Sequence, residues 1–237
     1  MTTKKSTKRI RTLKPVVRPA LTLILLGLSG MMTMLVPACR EAYSREGSAV
    51  EKARLRRLQD KKDIATGRAV LQDGDLVLRT GNDFISLTLR QFSRRNKTYS
   101  HCGVVRIENG QAMVYHAIGG EDNPDARLRK DSFQAFCDPE HNLGFGVFRY
   151  RLTRQQRTRL DSVVDLDFRL KIRFDMKFDL RTDSSLYCAE FVYKALGKAT
   201  GQPHYLPLSH IGTFDYVAID DLFDNAHCQP IYQAVFH

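Results

Sequence analysis

The sequence lacks the paired cysteine motifs that are typical of zinc ribbons and thioredoxin-like redox sites. No two of its five cysteines stand in C-x-x-C spacing, which argues against both classes. The five are Cys39, Cys102, Cys137, Cys188 and Cys228. In an oxidising compartment one disulfide could form, and Cys137 with Cys228 is one pairing, although spacing alone does not establish it.

The main part of the chain also lacks an excess of basic residues, although the formal net charge of all 237 residues is +11. Residues 1–18 hold seven Lys/Arg and no acid, and residues 40–68 hold nine Lys/Arg against five acids. Residues 69–237 therefore balance at 21 basic and 21 acidic side chains. A nucleic-acid-binding domain needs a basic face, so we expect no nucleic-acid partner.

Charged side chains are absent from residues 19–39, which follow the basic start. A basic segment followed by an apolar one is the pattern of an export signal, so residues 1–39 are interpreted as a signal or membrane anchor. The segment Val36-Pro-Ala-Cys39 resembles a bacterial lipobox, which makes Cys39 a candidate for lipidation, although Pro37 departs from that motif. Cleavage after Ala38 and retention as an anchor are the alternatives. All three predict a domain outside the cytoplasmic membrane, in the bacterial cell envelope.

Residues 40–69 are interpreted as a charged helical tether between this segment and a domain over residues 70–237. Residues 46–65 are rich in Ala, Glu, Lys, Arg and Leu, and Gly67 follows them, which predicts a solvated helix. The excess of positive charge favours a position near anionic lipid headgroups.

A β-hairpin is the clearest local signal in the domain. Asn109-Gly110 separates two apolar runs, residues 100–107 and 111–118, and favours a type I′ turn. If Glu108 faces Gln111, His101 and His116 share one face of the sheet as diagonal neighbours. Such a pair can act as a base and the group that orients it. No third ligand with suitable spacing is evident, so we expect neither a metal nor another cofactor.

The stretch from Asp183 to Leu196 predicts a helix with a cysteine near its start. Its apolar positions recur at helical spacing, and Asp183, Ser184 and Ser185 are candidate N-caps. Cys188 would then experience the positive end of the helix dipole, which favours the thiolate. A buried structural cysteine is the alternative interpretation.

The remaining elements predict an α+β class, with one sheet and helices packed on it. We expect strands near residues 74–80, 146–150 and 231–236, and an extended segment over residues 171–179 that leads into the cysteine helix.

Four short motifs in this order resemble the circularly permuted, papain-like form of the NlpC superfamily, and in particular its YiiX/YaeF-like amidases. They are Gly74-Asp-Leu-Val, Ser100-His-Cys-Gly-Val-Val, Val114-Tyr-His-Ala and Tyr187-Cys-Ala-Glu-Phe-Val. The resemblance covers about residues 70–222. It implies an antiparallel sheet packed against a cysteine-bearing helix.

The same resemblance implies Cys188 as nucleophile, His101 as general base and His116 as the third, orienting residue. It places Asp75 and Tyr187 near the site as supports, whereas Glu190 is interpreted as structural. The implied activity is a thiol hydrolase or acyltransferase acting on an amide or ester, with peptidoglycan peptides or lipid-derived acyl groups as substrates. The alternative is a membrane-tethered binding module with this fold and no turnover.

Overall fold

The computed structural model describes residues 47–119, 123 and 125–237. The export segment and Cys39 lie outside the described residues. Two compact units divide the chain, Met1–Arg54 and Leu55–His237. The described residues contain no helix that combines the length and the apolar character needed to span a membrane.

The second unit has an α+β fold built on a six-stranded antiparallel sheet of order β4-β3-β2-β1-β5-β8. A helix over residues 47–69 (α1) precedes the sheet. The strands are β1 (Leu76–Gly81), β2 (His101–Glu108), β3 (Gln111–His116), β4 (Arg129–Ser132), β5 (Asn142–Tyr150), β6 (Ser209–Ile211), β7 (Phe214–Tyr216) and β8 (Cys228–Val235), of which β6 and β7 pair separately. The helices are α2 (Phe84–Leu89), a 3₁₀ turn (Arg90–Phe92), α3 (Phe133–Phe136), α4 (Arg154–Arg169), α5 (Cys188–Thr200) and α6 (Ile219–Phe223).

The predicted hairpin is confirmed. Glu108 pairs with Gln111, and the register continues to Val104 opposite Tyr115. Asn109 and Gly110 have φ values of 50° and 77°, as a type I′ turn requires.

Both faces of the sheet are covered, each by its own hydrophobic cluster. One face, here the α5 face, includes Leu78, Cys102 and Val104 and packs against α4 and α5. The opposite face, here the α3 face, includes Val105 and Val114 and packs against α3 and the later part of α1. Successive side chains along each strand therefore point into two different hydrophobic cores.

The helix predicted over residues 46–65 is present as α1. Its later half is not only a tether, because it packs on the domain. Ile64 and Asp60 are buried. Asp63 accepts a hydrogen bond from the hydroxyl of Tyr232 in β8 at 2.9 Å. A methyl group on Gly67 would collide with the ring of Phe145, which shows how closely α1 approaches the α3 face.

The segment 171–179 is not the extended strand that its alternating pattern predicted. Lys171 and Phe178 have φ values near 55°, which interrupt an extended chain. Between them the Asp175 carboxylate accepts the backbone N–H groups of Lys177 and Asp179 at 2.8 and 2.6 Å. The alternation instead turns Phe174 and Phe178 toward the core that surrounds α5.

The pairing of Cys137 with Cys228 does not occur. Cys102, Cys137, Cys188 and Cys228, the cysteines in the described residues, are all free. Cys137 belongs to the cluster on the α3 face and Cys228 to the cluster on the α5 face, so the sheet separates them.

Candidate active site

The helix α5 begins at Cys188 itself. The predicted caps Asp183, Ser184 and Ser185 are wrong, because the N-cap is Tyr187. The Tyr187 N–H donates to the Glu190 carboxylate at 3.2 Å, which satisfies the N-terminus in place of a serine or aspartate cap. Asp183 instead accepts a hydrogen bond from Lys194 at 2.8 Å. Cys188 is therefore the first helical residue, where backbone N–H groups lack helical partners.

The surroundings of Cys188 favour its thiolate. A hydrogen bond from the Cys102 thiol is the largest cause that lowers the pKa of Cys188, and the backbone N–H of Ala189 and the charge of Arg79 act in the same direction. Burial and the same contact raise the pKa of Cys102 well above its ordinary value. Of these two neighbouring thiols, Cys188, which is half-buried, is therefore the one whose pKa is lowered.

The two predicted histidines are in direct contact. His101 Nε2 lies 2.9 Å from His116 Nδ1, and the two rings meet edge to face. Both side chains are buried on the α3 face, where the ring of Phe136 contacts each of them. Gly103 leaves the space they use, since a methyl group there would lie 3.1 Å from His116 Cβ.

Asp131 extends the histidine pair into a chain of three groups. Its carboxylate lies 3.0 Å from His116 Nε2. The carboxylate only accepts, so His116 carries its proton on Nε2 and presents Nδ1 as an acceptor. His101 then donates through Nε2, and its Nδ1 is left with a free lone pair. In this arrangement Asp131 fixes the tautomer of both imidazoles and leaves His101 Nδ1 able to accept a proton.

Asp131 is the site residue that sequence reasoning missed. Asp131 lies in strand β4, opposite Val114 of β3, just before the short helix α3. The polar pattern of β4 gives no strand signal. The pairing of β4 with the strand that carries His116 is what brings the carboxylate to the imidazole.

Arg79 is the charged group that links the two parts of the site. It lies opposite His101 in the β1–β2 ladder, with its guanidinium over the ring of Phe136. Burial, followed by the charge of Arg79, holds the pKa of His101 well below its ordinary value. The same charge lowers the pKa of Cys188. His101 is therefore neutral near pH 7, as a general base must be.

Among the described residues, no hydrogen bond joins Cys188 to His101 or His116. Strand alternation puts the His101 side chain on the α3 face and Cys102, the neighbour of Cys188, on the α5 face. The two parts approach at one end of β2: His101 is its first residue, and Ser100 lines the same cavity as Cys188.

Of the two predicted supports, the structure brings Tyr187 to this region and not Asp75. The Tyr187 hydroxyl accepts the backbone N–H of Val217 at 2.7 Å, and its ring lines the cavity beside Cys188. Asp75 precedes β1 at the end far from His101 and binds the guanidinium of Arg149 at 2.7 and 2.8 Å. Asp75 therefore anchors β1 to β5.

A cavity of about 300 Å³ opens beside Cys188. Its walls come from the 3₁₀ turn, the loop before α5, the start of α5 and the β6–β7 hairpin. They include Phe92, Phe174, Phe178, Phe214 and Val217. A thiolate at a helix N-terminus that faces a partly enclosed apolar space can attack a bound carbonyl group.

No family model and no curated protein matches the chain. Among solved structures, it is similar to the crystal structure of yiiX from Escherichia coli O157:H7, which is described as a metalloprotein of DUF1105. The two chains are 18% identical, the TM-score is 0.57, and the match covers 69% of this chain and 98% of that one. The chain therefore has a YiiX-like α+β fold.

Proposed function

We propose that the protein is a thiol hydrolase or acyltransferase that cleaves an amide or ester bond through Cys188. The observation that carries the proposal is the lowered pKa of a cysteine that is the first residue of a helix and opens into a cavity. We further propose that the chain belongs to the permuted papain-like group of the NlpC superfamily, on its short sequence motifs and on the order of the histidine strand before the cysteine helix.

In the proposed reaction the Cys188 thiol gives its proton to His101 Nδ1 as the sulfur attacks the carbonyl carbon, and the backbone N–H groups at the start of α5 stabilise the oxyanion. The bond to the amine or alcohol breaks, and that leaving group takes the proton from His101. A thioester on Cys188 and a neutral His101 result. Water, or another acceptor, then gives a proton to His101 and attacks the thioester; the acyl product leaves, and the released sulfur takes the proton back from His101.

For His101 to serve both steps, its Nδ1 has to approach the substrate at the end of β2. Catalytic hydrogen bonds are often long in an empty site and tighten when substrate binds. His116 and Asp131 then act as positioning residues, because they hold the tautomer that leaves His101 Nδ1 unprotonated.

The residues of this site do not fit a metal centre. The hydrogen bonds of His101 and His116 leave one free imidazole nitrogen, His101 Nδ1, and Cys188 does not share a ligand cluster with it among the described residues. In the part of the chain that the structure describes, the ligand atoms that do cluster belong to Asp138, Glu140 and His141, of which two are exposed. The proposed reaction therefore includes no step through a metal.

The test is covalent labelling of the full-length chain with an acyl-type thiol probe, followed by mass spectrometry of the labelled peptide. We expect one label at Cys188, which Cys188→Ala abolishes and Cys137→Ala, a buried cysteine on the other face, does not affect. Sensitivity of the adduct to hydroxylamine identifies a thioester. Labelling at Cys102, or labelling that persists in Cys188→Ala, would overturn the proposal.

A second candidate is a binding module with this fold and no turnover, favoured by the missing hydrogen bond between Cys188 and His101. The alkylation rate of Cys188 against pH separates the two. A midpoint near that of an ordinary thiol supports binding alone, whereas a midpoint below it supports the enzyme.

The cell envelope is the proposed location, on the pattern of the basic start and the uncharged segment over residues 19–39. Fractionation of cells that express the full-length chain, with and without globomycin to block lipoprotein processing, tests both export and the lipidation of Cys39.

A further inference from the structure

The cavity beside Cys188 is almost entirely apolar. Of its 15 lining residues, Lys177 is the one with a charged side chain, and most of the others are aromatic or aliphatic. A peptide in such a space would leave backbone N–H and C=O groups without partners, each at a free-energy cost. A hydrocarbon chain has no such groups.

Exposed apolar side chains continue from the cavity onto the surface. Phe84 and Ile85 of α2 are 82% and 65% exposed, and Phe92, Ile211 and Phe214 are each about half exposed. The two segments that carry them are joined, because the Tyr216 hydroxyl donates to the carbonyl of Phe92 at 2.8 Å. Leu89, Phe92, Ile211 and Phe214 also line the cavity. We call this surface the apolar rim, and define it as residues 84–92 together with 211–214.

The charge beside the apolar rim is mainly positive. Two acidic residues flank the rim: Asp83, which caps α2, and Asp215, which lies against the ring of His210. Residues 84–99 contain no acidic side chain, and residues 90–97 hold Arg90, Arg94, Arg95 and Lys97. Arg95 is paired with Asp221 and Asp224. The others, with Lys177 in the cavity wall, carry no salt bridge among the described residues. Apolar side chains flanked by Lys and Arg are typical of surfaces that lie in the interface of an anionic bilayer.

We propose that the cavity binds one acyl chain of a lipid substrate and that the apolar rim rests on an anionic lipid surface, from which the chain enters. The inference rests on the proposed function in one respect, that Cys188 attacks the carbonyl group of the bound lipid. At about 30 Å³ for each water-sized group, which is close to the volume of a methylene, the 300 Å³ cavity holds roughly ten carbons.

The first test measures occupation of the cavity without requiring turnover. The full-length chain in detergent is alkylated with iodoacetamide and with its N-butyl, N-octyl and N-decyl derivatives, and the second-order rate at Cys188 is compared with that of free cysteine. We expect the rate to rise about fourfold with each methylene that enters the cavity, and to level off at about ten carbons. Equal rates for all chain lengths, or a faster reaction with an iodoacetyl peptide, would overturn the inference.

A matched pair of variants locates the effect. Ile211→Asp places a charge in the apolar rim, and Leu166→Asp places one at an equally exposed leucine on α4. Ile211→Asp should reduce the ratio of the N-decyl rate to the iodoacetamide rate at least tenfold, because that ratio cancels any direct effect of the new charge on Cys188, and Leu166→Asp should leave the ratio unchanged. Phe214→Ser should act in the same direction as Ile211→Asp. Equal effects at residues 211 and 166 would contradict the assignment.

The second test measures contact with the membrane, and uses the absence of tryptophan from the sequence. Phe214→Trp and Leu166→Trp each give the full-length chain a single tryptophan, which is excited at longer wavelength than its nine tyrosines. In vesicles of phosphatidylcholine and phosphatidylglycerol with brominated acyl chains, we expect strong quenching at residue 214 and little at residue 166. Quenching that is equal at the two sites would overturn the membrane contact.

Failure of the proposed function is distinguishable from failure of this inference. If no acyl-enzyme forms with any activated ester while the alkylation rate still rises with chain length, the cavity binds acyl chains and the enzyme is refuted. If short esters turn over and the rate ignores chain length, the enzyme is supported and the acyl cavity is refuted.

Discussion

Glu190 lies in the first turn of α5 and has no exposed surface. Its carboxylate accepts the N–H of Tyr187 and lies 2.9 Å from Lys194 Nζ. Burial raises the pKa of Glu190 from 4.5 to about 7, although Lys194 opposes the rise. Glu190→Gln keeps an amide oxygen that can accept the N–H of Tyr187 and removes the titration. The substitution therefore isolates the cost of a buried carboxylate beside the proposed nucleophile.

The direction of the pH effect follows from proton binding. Between pH 4.5 and about 7 the unfolded chain releases this proton while the folded chain keeps it. The free energy of unfolding then falls with rising pH by about 1.4 kcal/mol per pH unit. Below this range both states are protonated, and above it both are ionised, so the total loss is about 3 kcal/mol.

Urea unfolding at about pH 4.5 and at about pH 8 measures this loss. The wild type should lose about 3 kcal/mol more than Glu190→Gln between the two conditions, and Glu140→Gln, at an exposed side chain, should follow the wild type. Asp161, whose burial raises its pKa to about 6, titrates in the same range, but it is common to all three proteins and cancels in the comparison. Equal losses in the wild type and Glu190→Gln would refute the reasoning.

Three further substitutions test the site. Asp131→Asn lets an amide donate to His116 and reverses the tautomers, so turnover of an activated ester should fall on the order of 100-fold, and unchanged turnover would contradict the positioning role. Cys102→Ala removes a donor to the Cys188 thiolate; alkylation near neutral pH should slow about tenfold, with Cys102→Ser restoring it. Gly103→Ala places a methyl group 2.8 Å from a backbone oxygen and should lower the free energy of unfolding by about 1–3 kcal/mol in urea.

The parts of the fold that could be predicted from sequence are those fixed by local chemistry. Asn109 and Gly110 favour positive φ, and a two-residue turn leaves one register for the strands on either side. That register places His101 and His116 on one face as diagonal neighbours, the position from which their rings make contact. The N-cap of α4 is also of a preferred residue type: the Thr153 hydroxyl accepts the backbone N–H of Gln156, the third residue of that helix.

The parts that could not be predicted depend on contacts between distant segments. Asp183 is an N-cap candidate by residue type, but its carboxylate binds Lys194, which lies further along α5. The N-terminus of the helix is capped instead by Glu190, a residue of its own first turn. The alternation over residues 171–179 is real, yet it serves a loop folded on Asp175. Residue type gives the capacity for an interaction, and tertiary packing decides which partner uses it.

The position of Cys188 relative to the histidines is the clearest case. Strand alternation places the side chains of His101 and Cys102 on opposite faces of the sheet. Because β2 is apolar on both faces, its sequence does not indicate which face packs against α5. The helix packs on the Cys102 side, and this choice has a chemical consequence. In the proposed reaction, His101 and the Cys188 thiolate would meet around the first residues of β2, where Ser100 lines the cavity and the charge of Arg79 affects both groups. A carbonyl attacked by Cys188 would then lie at that strand end, and an acyl chain in the apolar cavity would extend away from the histidines.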